Sequence, residues 1–337
     1  MGATGMQALV FDIGGTTTRA GLYDLGAARL LRTERAPTPS VSACSSESGR
    51  GLRDRLYDLL ACLAARLGAD APGYIVVGFP GPVREGGTAL RAPTLWGAER
   101  DPEPVAERVR AIWPGARIRV VNDLSAAGHG FLRHEHDDAC IVTVSSGIGH
   151  KVFLDGKPAV GPSGRGGEIG HLRVDFSDEA PLCECGARGH LGALACGRAV
   201  PEQAVRLARR DPGAFARSSL AASVAGRATR VDSHLVARTF KMGDPWTVAL
   251  VGVLAAPLGQ ALAGIHAAVG VERFVIMGGF AQALGAAYLA LVGQAAAAGA
   301  WDLGQEWGRM LEFGEMGDEA GLIGAGRLAA REWGGAA

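Results

Sequence analysis

Between residues 168 and 190 the chain concentrates side chains that can do chemistry. Glu168-Ile169-Gly170-His171 is followed by Cys183-Glu184-Cys185 and by Gly189-His190, so two imidazoles and two thiols fall within twenty residues. Thiolate sulfur and imidazole nitrogen are the donors that tetrahedral Zn²⁺ prefers, and a closed set of four is normally structural. His171, Cys183, Cys185 and His190 are therefore read as zinc ligands pinning a loop, so that Glu168 and His171 face a pocket. There the Glu168 carboxylate could hold a substrate hydroxyl. Unpaired cysteines with solvent histidines are the alternative. The clustering of this cysteine pair, against the scatter of Cys44, Cys62, Cys140 and Cys196, favours metal.

Two glycine-rich turns carry a second kind of chemistry. Asp12-Ile13-Gly14-Gly15-Thr16-Thr17 joins two strand-like runs. Glycines let the backbone approach a phosphate closely, and the Thr hydroxyls and free amides can donate to phosphate oxygens. Asp12 can hold Mg²⁺ directly or through water. Ser145-Ser146-Gly147-Ile148-Gly149 repeats the design in the second half, and Gly278-Gly279, after an apolar run, could let an adenine ring lie on bare backbone. Tight turns use glycine anyway, so each loop alone is weak evidence. Three in this order are far more specific.

Asn122-Asp123 stands between the two phosphate loops. An alcohol attacking a γ-phosphoryl group must lose its proton, and a carboxylate at hydrogen-bond distance can accept it while orienting the oxygen. Asp123 is read as that base. The alternative is a helix N-cap following a strand.

The elements that must position these groups alternate between strand and helix signals, which indicates an α/β protein. Residues 7–12 and 20–23 read as strands of one hairpin, and 51–67 as an amphipathic helix carrying Leu52, Leu56, Leu59, Leu60, Leu63 and Leu67. Strands over 74–78 and 118–121 follow, the second delivering Asn122-Asp123 at the sheet edge where open α/β folds place ligands. A second unit begins near residue 124, with strands over 140–144, 151–154 and 274–277. Asp244-Pro245 starts a helix by capping its free amides, and a closing helix runs over 320–330. Residues 201–243 carry no interpretable motif.

Composition narrows the classes. With 34 basic and 34 acidic residues among 337, and no basic stripe, nucleic acid is not an expected partner. Six largely isolated cysteines do not make a disulfide scaffold. No leader pattern or apolar run near the ~18 residues of a membrane span is recognised. A soluble, cytoplasmic protein without a membrane partner is expected.

With these motifs in place, the chain resembles the ROK family (repressors, open reading frames and kinases) of the two-domain actin-like ATPase fold, also described as ribonuclease H-like. The likeness runs from Asp12 to the closing Gly321-Leu322-Ile323-Gly324-Ala325 helix. It implies an α/β protein whose two domains each hold a mixed sheet flanked by helices. Residues 1–123 would form the N-terminal domain, with the closing helix (about 320–337) packed back on it, and 124–319 the C-terminal domain. It also implies an ATP- and Mg²⁺-dependent kinase with structural Zn²⁺, acting as a homodimer on a small sugar or cyclitol. Asp12, Gly14, Gly15, Thr16, Thr17, Ser145, Ser146, Gly147 and Gly149 would bind phosphates, and Gly278 and Gly279 the nucleoside. Asn122, Glu168 and His171 would hold the acceptor, with Gly81 and Thr94 opposite. Trp96 would shield the pocket or pack beneath the loop. Only eleven residues precede Asp12, too few for the three helices of a DNA-binding module, so a kinase is expected rather than a sugar-responsive repressor.

The chain departs from the family pattern in several places. Thr94 and His190 replace an asparagine and a zinc cysteine, and imidazole remains a competent ligand. Gly192 stands where hexose kinases carry a glutamate that grips the hydroxyls around the anomeric carbon. His150-Lys151 replaces further glycines of the second loop, and Lys151 either reaches a phosphate or substrate hydroxyl or is solvated. The lost clamp directs the substrate expectation to a C7 cyclitol of the valiolone or valienol type, phosphorylated on the hydroxyl matching O6 of a hexose. A ROK glucokinase or hexokinase is the alternative.

Overall fold

The computed structural model describes residues 6–44 and 49–334, in two compact units. Unit 1 comprises 1–137, 153–166 and 316–337, and unit 2 comprises 138–152 and 167–315. The expected division at residue 123 falls inside unit 1. The helix that begins at Asp123 packs against the closing helix through backbone so close that a Cβ at Gly324 would meet Ala127 Cα at 2.9 Å. The last three residues of the expected closing helix lie outside the described residues.

Unit 1 contains β1 (Gln7–Ile13), β2 (Thr17–Asp24), β3 (Arg29–Pro37), α1 (Gly49–Leu67), β4 (Tyr74–Phe79), the ribbon β5 (Val83–Arg84) and β6 (Thr88–Ala89), α2 (Pro93–Trp96), α3 (Val105–Ile112), β7 (Arg117–Asn122) and α4 (Asp123–Phe131). Its sheet runs β3-β2-β1-β4-β7, with β1, β2 and β3 antiparallel and β1, β4 and β7 parallel. One face is covered by α1, whose Leu52, Leu56, Leu60 and Leu63 are fully buried at helical spacing, each contributing roughly 2 kcal/mol of hydrophobic burial. The closing helix (Ala320–Trp333) contributes Leu322, Ala325 and Ala329 to a core with Val10, Tyr23 and Val76. Gly326 lies directly on the Tyr23 ring.

Unit 2 holds β8 (Ala139–Val144) and the first five residues of β9 (Ile148–Leu154), whose last two residues pair with β10 (Lys157–Pro158) within unit 1. The second five-stranded sheet runs β10-β9-β8-β11-β12, the same layout as the first. The stretch 201–243 contains most of α5 (Val200–Arg210), then α6 (Pro212–Ala216), α7 (Ser219–Ser223) and α8 (Ser233–Lys241). Then follow α9 (Pro245–Val269), β11 (Phe274–Met277), α10 (Gly279–Leu284), α11 (Ala286–Gly299), α12 (Trp307–Met310) and β12 (Leu311–Phe313). Parallel β8, β11 and β12 carry the core.

Helix α9 corrects one expectation. It is 25 residues long, long and apolar enough to cross a membrane, and half of its most apolar 18 residues are buried inside the protein. Its apolar length is explained by close packing: a Cβ at Gly259 would sit 2.6 Å from Ala295 Cβ on α11. Small apolar residues at such a close approach leave the helix apolar on several faces. Its start matches the sequence, with Asp244 accepting from the Thr247 amide at 2.9 Å.

Candidate active site

In unit 1 the chemistry gathers at the carboxyl ends of β1, β4 and β7. Asp12 lies near the end of β1, where burial pushes its carboxyl up to about 6, opposed by the Arg19 guanidinium 3.8 Å away and reinforced by Asp318. The closing helix passes Asp12 at Gly321, where a Cβ would lie 2.6 and 2.7 Å from the two carboxylate oxygens. The β1–β2 turn is closed by Gly14 N donating to Thr17 O at 3.0 Å, and a Cβ on Gly14 would meet that oxygen at 2.9 Å. Thr38, which no motif marks, latches this turn: its hydroxyl donates to Gly14 O at 2.8 Å and its amide to Thr16 O at 3.0 Å. Thr16 is left exposed at the tip.

Asn122 is the N-cap of α4, so the structural alternative for this pair is realised. Its Oδ1 accepts from Leu124 N and Ser125 N, both at 3.1 Å. Its Nδ2 donates to Gly81 O at 3.0 Å and to Asp123 Oδ1 at 2.8 Å. The amide expected to hold the acceptor is thus spent on the cap, on Gly81 and on orienting Asp123. Capping does not exclude a catalytic role for Asp123, because the cap fixes Asp123 at the first helical position, where Oδ1 also accepts from Leu124 N at 2.8 Å. Gly81 is required by its φ of 116° and by backbone that approaches too closely for any Cβ. Thr94 is exposed on α2 beside the turn, 3.2 Å from where a Gly15 Cβ would sit. Trp96 packs beneath: it is buried, tilted against Phe79 with centroids 5.6 Å apart, and Arg53 lies over its ring.

In unit 2 the turn is shorter than expected, because β9 starts at Ile148 and takes Gly149 into the strand. Ser145 N donates to Gly147 O at 2.9 Å to close it. Three consecutive residues brace it from behind, a feature without any local sequence signal. Cys196 Sγ donates to Ser146 O at 2.8 Å, Gly197 N to Ser145 O at 2.8 Å, and Arg198 Nε to Ser146 O at 2.7 Å. Arg198 also pairs with Glu184, between the two clustered cysteines. Gly278, at the end of β11, has φ 100° and no room for a Cβ against Val144, so it lies beside the start of this turn. Gly279 opens α10 with nothing within 4 Å of a Cβ, an uncovered backbone surface.

The metal expectation meets a compact cluster. The ligand atoms of His171, Cys183, Cys185 and His190 all lie within 4.8 Å of one another. Cys185 Sγ is 3.2 Å from His190 Nδ1, and Cys183 Sγ is 3.7 Å from His171 Nδ1. A tetrahedron with Zn–S near 2.3 Å and Zn–N near 2.0 Å requires edges of roughly 3.3–3.8 Å, so the donor set fits zinc in number and type, and the two Cys–His pairs lie near those edges. Burial raises the Cys183 thiol above its ordinary value and lowers the His190 imidazole, the latter helped by His171. A bound divalent cation would turn the thiols to thiolates.

Glu168 precedes the short helical turn Ile169–His171 and is half-buried. Lys151 is buried and bonded to it, with Nζ donating to Glu168 Oε1 at 3.1 Å and to Gly167 O at 2.9 Å, so the solvated reading of this lysine fails. Beside it, His150 Nδ1 accepts from Ile169 N at 3.1 Å, a bond that requires the neutral ring. Burial, aided by Lys151, pushes His150 down to about 4. Gly192 packs on Gly170, whose carbonyl would lie 3.1 Å from a Cβ there.

Two five-stranded sheets of one strand order, each opening with a glycine turn followed by parallel strands, place the chain in the actin-like ATPase fold. The ROK family model matches residues 8–332, and the chain belongs to the ROK family. It is similar to a C(7)-cyclitol 7-kinase of Streptomyces hygroscopicus subsp. limoneus, 38% identical over 97% of this chain and 94% of that one. It is also similar to a 2-epi-5-epi-valiolone 7-kinase of an Actinoplanes species, 30% identical over 75% of this chain and 71% of the relative. Among solved structures, the ROK family glucokinase of Streptomyces griseus in complex with glucose and AMPPNP superposes with a TM-score of 0.71 at 27% identity, covering 96% of this chain and 99% of that one. The chain is accordingly a phosphotransferase of the sugar-kinase type.

Proposed function

We propose that this protein is an ATP- and Mg²⁺-dependent kinase that phosphorylates the C7 primary hydroxyl of a cyclitol. The observation that carries the substrate is the 38% identity to a C(7)-cyclitol 7-kinase over nearly the full length of both chains. Gly192 supports it, since a glycine packed on Gly170 offers no carboxylate for anomeric hydroxyls.

In this reading the acceptor oxygen attacks the γ-phosphorus as its proton passes to Asp123, and the bond from that phosphorus to the bridging oxygen breaks, releasing ADP. Asn122 orients Asp123 through the 2.8 Å bond to Oδ1. Glu168 and His171 hold acceptor hydroxyls, with Thr94 and the Gly81 turn in unit 1. Gly14, Gly15, Thr16 and Thr17 contact phosphates, as do Ser145, Ser146 and Gly147, while Gly278 and Gly279 receive the nucleoside. Asp12 is the residue that would hold Mg²⁺, which neutralises developing charge on the transferred group. His171, Cys183, Cys185 and His190 would hold zinc and keep the Glu168 loop in shape. The protein acts in the cytoplasm as a homodimer, without nucleic-acid or membrane partners.

The test is ATP consumption across a panel of neutral valiolone- and valienol-type cyclitols, glucose, fructose and N-acetylmannosamine, with the product located by phosphorus NMR. Cyclitol turnover with phosphate on C7 is expected. Strong glucose turnover with none on cyclitols would assign the protein to the glucokinases.

A further inference from the structure

We infer that Lys151 is the positioning residue of the acceptor site: it holds the Glu168 carboxylate by one oxygen, leaves the other for a substrate hydroxyl, and biases the enzyme towards uncharged polyols. The inference rests on the kinase reading above.

The side chain of Lys151 is 3% exposed, and a buried cation persists only with hydrogen-bonded, oppositely charged partners. Its partners include two on the segment that carries the acceptor carboxylate: Gly167 O at 2.9 Å and Glu168 Oε1 at 3.1 Å. The surroundings are shaped around it. Gly167 has φ 83°, and a Cβ there would lie 2.7 Å from both Cδ and Nζ of Lys151, so a side chain at 167 would expel the ammonium. The segment is also fixed on either side. Ile169 N donates to the neutral ring of His150, and Gly170 passes too close to the Ile148 carbonyl to carry a Cβ. Three residues of β9 therefore set the backbone of 167–170, and Lys151 alone among them reaches the Glu168 side chain.

A glutamate side chain free on a loop samples many rotamers, and fixing it before the acceptor arrives removes that ordering cost from binding. The charge matters as well. A lone carboxylate attracts a substrate ammonium group, whereas a carboxylate already paired with a buried lysine is nearly neutral as a unit. Such a pair favours hydroxyl acceptors over amino-bearing analogues of the same shape.

The test is a double-mutant cycle on the full-length enzyme with Lys151→Met, Glu168→Gln and the double variant, measured with the neutral cyclitol and with its amino analogue. Acceptor KM for Lys151→Met should rise about tenfold or more, as expected for a misplaced binding group, with the KM for ATP unchanged within twofold. Glu168→Gln should absorb that effect, so that adding Lys151→Met to it costs little further. Discrimination against the amino analogue should also shrink in Lys151→Met. Should Lys151→Met fold poorly by thermal melting, Lys151→Gln, which keeps an N–H donor but is one atom shorter and uncharged, carries the same cycle. Additive effects of the two substitutions, or equal changes in the KM of ATP and acceptor, would overturn the inference while leaving the kinase assignment intact. A wild-type enzyme that transfers no phosphate to any polyol would instead remove the reading on which it rests.

Discussion

The closest approach between the closing helix and the chemistry is Gly321 against Asp12, and it makes a worked prediction. A Cβ at position 321 would lie 2.6 and 2.7 Å from the carboxylate oxygens of Asp12, and ordinary contact begins near 3.4 Å. Asp12 Cγ would be nearer still, 2.4 Å from that Cβ, so in Gly321→Ala the carboxylate or the helix must retreat by about 0.7–1.0 Å. The helix is pinned elsewhere by Gly324 on α4 and Gly326 on Tyr23, so the carboxylate is the softer partner. A displacement approaching 1 Å in a positioned catalytic group costs up to about a hundredfold in rate, and overpacking costs ~1–3 kcal/mol of stability. Steady-state assays over a Mg²⁺ titration should show kcat down roughly tenfold to a hundredfold and a raised Mg²⁺ requirement, with acceptor KM little changed. Calorimetry should show Tm lower by a few °C. Combining Gly321→Ala with Asp12→Ala should recover the lost stability but none of the activity, because the collision is relieved and the cation ligand removed. A Gly321→Ala enzyme with wild-type Mg²⁺ dependence and unchanged Tm would refute the placement of Asp12 beneath this helix.

Other consequences can be checked separately. Asp123→Asn should fold normally, since the amide oxygen can still accept from Leu124 N, yet lose about 10²–10⁴-fold in kcat as the proton acceptor disappears; a near-wild-type rate in a phosphate-transfer assay would remove Asp123 as base. Elemental analysis should find about one zinc per chain, lost in Cys183→Ser, with chelator lowering Tm; metal-free protein of unchanged stability would dismiss the four-ligand site. Arg198→Ala should raise the KM for ATP several-fold through the loosened Ser146 turn, leaving acceptor KM unchanged. His129, buried beside Phe153, is held down to about 3 by burial and then by Arg331 and Arg119. The unfolded chain takes up that proton from about 6.5 downwards, so stability should fall with falling pH between about 6.5 and 3, by about 1.4 kcal/mol per pH unit. Urea denaturation of His129→Leu across this range should show a shallower fall than wild type, and identical slopes would contradict the buried neutral histidine.

Much of the site was legible because its parts are local. A glycine turn between two strand-like runs encodes its own hairpin, and four metal donors within twenty residues need only one loop to meet. The N-cap alternative for Asn122 was likewise readable, since capping is a matter of three residues. The long helix beginning at Asp244-Pro245 announced its start but not its burial: apolar residues on every face look alike whether lipid or protein covers them.

What tertiary structure alone decided are contacts between residues far apart in the chain, for which spacing carries no signal. Thr38 latches a turn 24 residues earlier, Arg198 braces Ser146 across 52 residues, and Gly321 makes room for Asp12 across nearly the whole chain. The matching strand order of the two sheets is equally invisible in residue types, because any apolar β-rich run satisfies a buried strand. Lys151 shows the division most clearly. Its position after a glycine turn left a phosphate, a substrate hydroxyl and solvent all open, and only the fold, by bringing Gly167 and Glu168 back onto β9, made it a buried partner of the Glu168 carboxylate.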